Sequence, residues 1–417
     1  MTTKQTKSWV TALTGMIVLM VTSINAQAFE SMKVGDWDVD FSGNINGFFT
    51  NVDCDPNGNG VVAGGLACGS NGTDRTVGSV QTGLLPSWFG FHAKHESDNI
   101  TTEINIGFQP GIDGGSQSNS LDGPLQNNSE NLRVVNLKFG SDWGTLMIGR
   151  DIGIFGSDAL LADMTLLGVG TVSDLTAGGG NTTLGRIGVG YLYADWKAQI
   201  QYSSPTWEGF SFAVALVDPW GLAGLSGDSL NSGSFDQQAD TYGFEGKAVY
   251  KFGGADGSTV SGKVWASFIR QSLDSSSLPG QDATGFDVGV KVGLNDLELV
   301  GYFYSGDGIG TTGFLLDAVD LSGNTRDSDG FYVQGTYKFP GAGTKVGISF
   351  GESNLDLAAG EAASTLVKTN ESFIIGLYHP LTSSLNLVLE YSNTEATAHN
   401  GNSADENTIA IGAILFY

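Results

Sequence analysis

From Trp37 to the C-terminus the chain repeats one pattern: apolar side chains stand at alternate positions, in stretches of about ten residues, with turn residues between stretches. In the first stretch Trp37, Val39, Phe41, Ile45 and Phe49 share one parity, and Asp36, Asp38, Asp40, Ser42, Asn44 and Asn46 share the other. Side chains of a strand alternate between two faces, so each stretch is a ribbon with one oily and one wet face. The next two stretches read as a hairpin. Phe89, Phe91 and Ala93 lead into the turn Glu96-Ser97-Asp98-Asn99, and Ile100, Ile104, Ile106 and Phe108 follow it. The unit recurs to the end of the chain and amounts to about sixteen strands, an even number as single-chain bacterial barrels require.

A soluble barrel or sandwich would turn its oily face inward, but a ring of about sixteen strands encloses more volume than side chains can fill. Turned outward, the same face meets hydrocarbon and the wet face lines a lumen. Loop lengths agree: Gly293-Leu294-Asn295-Asp296 and Pro340-Gly341-Ala342-Gly343 are short, and 305–328 and 352–365 are long and polar. Short periplasmic turns opposite long external loops belong to outer-membrane barrels. Trp37, Trp143, Trp196, Trp207, Phe339 and Tyr417 stand near strand ends, where aromatic girdles sit. The expected fold is therefore all-β, a transmembrane antiparallel barrel of about sixteen strands.

The segment 144–171 breaks the alternation. Its first half reads as a strand, but Ala159, Leu160, Leu161 and Met164 fall at helical spacing behind Ser157 and Asp158, an N-cap pair by residue type. A long loop with its own helix and apolar contacts has no core outside a barrel wall, so it is expected to fold into the lumen as a constriction, over about 152–185.

Composition narrows the setting. Residues 1–28 have the form of a secretory signal: basic Lys4 and Lys7, apolar 9–21, and Ala26-Gln27-Ala28 before Phe29, leaving 29–417 as the barrel domain. Its loss would leave 17 basic against 44 acidic residues, a balance of −27, which argues against nucleic-acid binding. Cys54 and Cys68 lie in one Gly/Asn-rich stretch; an exported chain is expected to pair them, the alternative being two free thiols. Asp53-x-Asp55-x-Asn57-Gly58 opens like a calcium loop, but its twelfth position is Gly64 and the bidentate acid is missing. His92, His95, His379 and His399 have no metal-ligand spacing, so no metal or cofactor is expected.

Several short motifs resemble the Gram-negative general porin family. Gly149-Arg150 resembles its Gly-Arg before the third external loop, and Asp163-Met164 the Asp-Met of that loop. Ile200-x-Tyr202-x-Ser204-Pro205 before Gly209-Phe210 resembles a family turn, and Tyr417 resembles its terminal aromatic. The resemblance implies a sixteen-stranded barrel, usually a homotrimer, whose third loop sets acidic residues against basic residues of the wall. It places Asp163 on the acidic side of this eyelet, with Leu167 where some members carry a second acid. Asp158 is either a second pore acid or a helix cap. On the basic side stand Arg150 and Arg133, the latter sharing parity with Val135, Leu137 and Phe139 and needing a bulge to point inward. The chain departs from the pattern at Trp88 and Asp195, which stand where arginines are usual; Trp88 is a candidate pore-lining residue and Arg186 a candidate replacement.

Opposed charges across a narrow aqueous gap filter solutes without covalent chemistry, so no enzyme is expected. The expectation is an outer-membrane channel for passive diffusion of ions and small hydrophilic solutes, mildly cation-preferring because of its acidic balance. Its expected partners are two further copies, outer-membrane lipid and lipopolysaccharide. A solute-specific porin and a non-conducting structural or receptor barrel are the alternatives. A specific porin would carry an aromatic track or basic ladder, and the basic residues, spread over many strands, form no evident ladder.

Overall fold

Backbone pairing runs round the chain and returns to its start. The computed structural model describes residues 31–57, 60–68, 74–112, 132–172, 182–219, 242–254, 259–273, 280–320 and 322–417. The expected signal segment 1–28 and part of the expected constriction loop, 173–181, lie outside the described residues. Sixteen strands form the wall: β1 (Trp37–Asn57), β2 (Trp88–Ser97), β3 (Ile100–Phe108), β4 (Leu132–Ser141), β5 (Gly144–Ile152), β6 (Trp196–Ser203), β7 (Phe210–Val217) and β8 (Gly243–Gly253) make one half. β9 (Val260–Ser272), β10 (Asp282–Leu294), β11 (Leu297–Asp307), β12 (Asp327–Lys338), β13 (Lys345–Leu355), β14 (Val367–Pro380), β15 (Leu385–Ala398) and β16 (Ser403–Phe416) make the other. Every neighbouring pair is antiparallel, and β16 closes the ring on β1 from Ser403↔Asn57 to Phe416↔Asn44.

Alternation decides which way each residue faces. Ile348 is 55% exposed on the outer surface while its neighbour Ser349 is 2% exposed inside. Closure removes the sheet edges, so strand backbone can cross hydrocarbon with its hydrogen bonds satisfied. No described helix is long and apolar enough to cross a membrane. At the short-turn end Trp143 stacks on Tyr202 at 6.3 Å, and Phe212 lies 5.8 Å from Tyr202 and 6.1 Å from Trp207. These rings make part of the expected girdle. Trp196 departs from it and packs against the interior cluster.

β1 is longer than its apolar pattern indicates because its outer half pairs separately. The short strand Arg75–Gln81 pairs with 48–54, and β2 pairs with 38–44. Cys54 therefore sits on a strand rather than in a loop, and its sulfur is bonded to that of Cys68. Asp53 and Asp55 are in ladder pairing with Asn407 and Asp405, so 53–57 of the calcium-like run is extended strand.

Candidate functional site

After β5 the chain leaves the wall and crosses the interior, where its irregular backbone needs partners that water would otherwise supply. Wall side chains on several strands provide them. Glu245 of β8 accepts from the Ile154 and Phe155 N–H groups at 2.5 and 2.9 Å and also pairs with buried Lys197. Asp287 of β10 accepts from Gly156 N–H at 3.0 Å and from the Tyr302 hydroxyl at 3.2 Å. Gln334 of β12 accepts from Met164 N–H at 2.7 Å and donates to the Ala162 carbonyl at 3.1 Å. Glu390 of β15 accepts from Val169 and Gly170 N–H, each at 2.7 Å. Hydrogen bonds to charged groups contribute about 1.5–3 kcal/mol each, so these clamps hold the loop firmly.

Between the clamps lie the helix α1 (Ser157–Ala162) and a 3-10 turn, Met164–Leu167. The N-cap of α1 is Gly156, not the Ser157-Asp158 pair, and no side chain caps the helix. Gly156 has φ +74°, a left-handed conformation that glycine adopts without the Cβ penalty. Asp158, released from capping, reaches the wall. Its two oxygens lie 2.7 Å from Lys247 Nζ on β8 and 2.6 Å from Lys263 Nζ on β9. Burial pushes its carboxyl up, but the two ammonium groups outweigh this and hold it well below the usual carboxylate range.

A cavity of about 1130 Å³ extends from this contact to the short-turn end of the barrel. Its lining includes Asp158, Leu161, Lys247, Lys251 and Lys263 on one side and His92, Lys94, Glu103, Lys138 and Asp151 on the other. Lys138 pairs with Asp151 at 3.3 Å, and His92 Nδ1 lies 2.8 Å from Asp40. In register, Lys251 faces Lys263 and Lys263 faces Lys291, all on inward parity. The basic residues thus form a cross-strand row, which a one-strand-at-a-time reading misses. The signal was present as inward lysines on adjacent strands, but their alignment depends on turn geometry.

The other candidate residues are placed differently. Asp163 is 4% exposed and turned into the loop, accepting from Thr165 N–H at 2.9 Å and the Tyr191 hydroxyl at 3.0 Å. Burial raises its carboxyl above the usual range, opposed by Arg186 and the Thr165 hydrogen bond. Arg186 is fully buried, donating to Ser349 at 2.5 Å and to the Ser372 carbonyl at 3.2 Å; burial lowers it to about 10. It therefore pins the loop rather than replacing a lumen arginine. Arg133 stands at a register shift, Gly107 facing Val134 while Phe108 faces Leu132, so a bulge lies where inward pointing needs one. Arg150 pairs in register with Val135 and Ala198, is half-buried, and with Arg133 lies close enough to Tyr193 and to buried Asp195 for its charge to act on both. The Trp88 indole lies over the inner wall where Gly90 and Gly107 leave room: a Cβ on Gly107 would stand 2.1 Å from the ring. The structure thus brings Asp158 to the cavity lining and leaves Asp163, Arg133, Arg150 and Trp88 outside it.

A family model described as Gram-negative porin matches residues 12–413. No curated protein sequence matches the chain. Among solved structures, the outer membrane channel DcaP of Acinetobacter baumannii is similar at TM-score 0.64 and 15% identity, covering 93% of this chain and 100% of the other. The anion-selective porin from Comamonas acidovorans is similar at TM-score 0.57 and 12% identity, covering 91% and 100%. The trimer form of OmpT of Vibrio cholerae is similar at TM-score 0.53 and 13% identity, covering 91% and 99%.

Proposed function

The chain belongs to the Gram-negative porin family, an outer-membrane β-barrel family of channels, and on that premise we propose that it admits ions and small hydrophilic solutes by passive diffusion. The observation that carries this reading is the Asp158 bridge to Lys247 and Lys263, which fixes the inward loop beside a polar-lined cavity. Fixed opposed charges beside an aqueous path favour polar over apolar solutes and require no covalent step. The proposal includes export through residues 1–28, assembly of 29–417 as the barrel, and association as a homotrimer in contact with lipopolysaccharide. The trimer form of the Vibrio cholerae neighbour supports the association.

A mild cation preference belongs to the same proposal, with its source moved. Asp158 is shared by two lysines and Asp163 is turned into the loop, so neither supplies an unneutralised lumen charge. Acids are instead gathered at the long-loop ends of the strands. Glu352 faces Glu371, Glu371 faces Glu395 and Glu395 faces Asp405 in successive registers. These acids share the outward parity of Ile348, Phe373, Tyr391 and Ile409, so they form a band on the outer face beside the long loops. Their field reaches cations near the mouth only over about 8 Å at physiological salt. The test is single-channel current in planar bilayers under a salt gradient. The reading expects steps in threes and a reversal potential slightly favouring cations; a protein that inserts and carries no current is not a channel.

A further inference from the structure

The geometry points to a binding station for a small divalent oxyanion on the short-turn side of the constriction, built by Lys247, Lys251 and Lys263, with Asp158 as a tethered competitor. Three observations support it. The lysines project inward from adjacent strands β8 and β9, with Lys251 directly opposite Lys263 and Lys247 two inward positions further along, past Val249. Lys247 and Lys263 converge on the two oxygens of one carboxylate at 2.7 and 2.6 Å, the arrangement in which two ammonium groups hold an oxyanion. All three lysines line the cavity of about 1130 Å³ that reaches the short turns, so a solute can approach them from that end.

The surroundings favour an oxyanion over a cation. The nearest wall acids, Glu245 and Asp287, are committed to loop amides at 2.5–3.0 Å, and Lys291, next in register, pairs with Glu298 at 2.8 Å. Lys263 also lies 4.9 Å from the Trp265 ring, which holds its stem against the wall. Gathered ammonium groups repel one another, and a dianion relieves that repulsion more than a monovalent ion does. Asp158 occupies the place of such an ion. A diffusing oxyanion that takes its lysines must therefore outcompete a carboxylate already fixed to the loop.

This inference rests on the channel reading and is tested with inorganic phosphate as the probe. Phosphate is added to each face of single channels in potassium chloride, and binding is measured separately by calorimetry on the protein in detergent. The expected result is a saturable fall in current, stronger from the short-turn face. Lys263→Gln is expected to weaken the midpoint roughly threefold to tenfold and Asp158→Asn to tighten it by a similar factor, the size of a partly exposed ion pair. Lys138→Gln, on the opposite wall, is expected to leave it unchanged. The station is overturned by a conducting channel indifferent to phosphate, by weaker binding in Asp158→Asn, or by an equal shift in Lys138→Gln, which would mean a diffuse lumen field. Calorimetric binding without any current would uphold the station and defeat the channel.

Discussion

Asp195 shows at the scale of one residue how far a carboxylate's setting departs from its sequence neighbourhood. It is 5% exposed, and burial pushes it up to about 7 although the Trp196 N–H, Lys197, Arg133 and Arg150 all favour the charged form. A carboxyl raised on folding binds its proton more tightly in the folded state, so its contribution is fully present below about pH 4 and is lost as pH rises through about 7. Asp195→Asn keeps the uncharged shape and is expected to remove this loss, on the order of a few kcal/mol at pH 8. Melting the purified barrel in detergent across pH 4–9 checks it; parallel curves for the two proteins would refute the assignment. Motif position singled out Asp163, and that residue is legible as a loop acid. That it turns to Tyr191 while Asp158 meets the lysines was not legible, because the choice depends on which loop face meets the wall.

At the scale of elements, the strands were legible and the seat of the loop was not. Strand faces follow from a local period of two, whereas loop docking joins residues distant in sequence, such as Phe155 to Glu245 and Val169 to Glu390. Glu245 illustrates the cost of breaking such a clamp. Glu245→Ala leaves the Ile154 and Phe155 amides and buried Lys197 without their acceptor, and a buried charge that loses its partner costs about 3–5 kcal/mol. The ladders of β1 to β16 do not depend on this contact, so the barrel is expected to assemble while the loop loosens. The expected readout is faster protease cleavage within 153–195 and noisier open-channel current, with Glu245→Gln intermediate. Cleavage as slow as in the wild type would show that the other clamps suffice. The helix was foreseen from apolar spacing at Ala159, Leu160, Leu161 and Met164, but its N-cap moved to Gly156 because Asp158 gains more from two lysines than from a backbone amide.

At the scale of the whole molecule the ring sorts the chain into a lipid face and a lumen face. Ile348 lies on the lipid face, and Ile348→Lys is expected to cost about 2–4 kcal/mol if it sits near the bilayer midplane. Urea or heat titration of barrels refolded in lipid vesicles measures this, and a cost near zero would place the residue outside the hydrocarbon. By itself the sequence determined the strand faces, the closed sixteen-stranded wall and the presence of an interrupting loop, because alternation and loop length are local properties that survive ignorance of every partner. Only the tertiary structure decided which charges meet. Lys251, Lys263 and Lys291 lie on three strands separated by turns, and Asp158 reaches the first two strands only after Glu245, Asp287, Gln334 and Glu390 have taken up the loop's amides. Register and loop path set distances of a few ångströms, and charge interactions depend on those distances far more steeply than on composition.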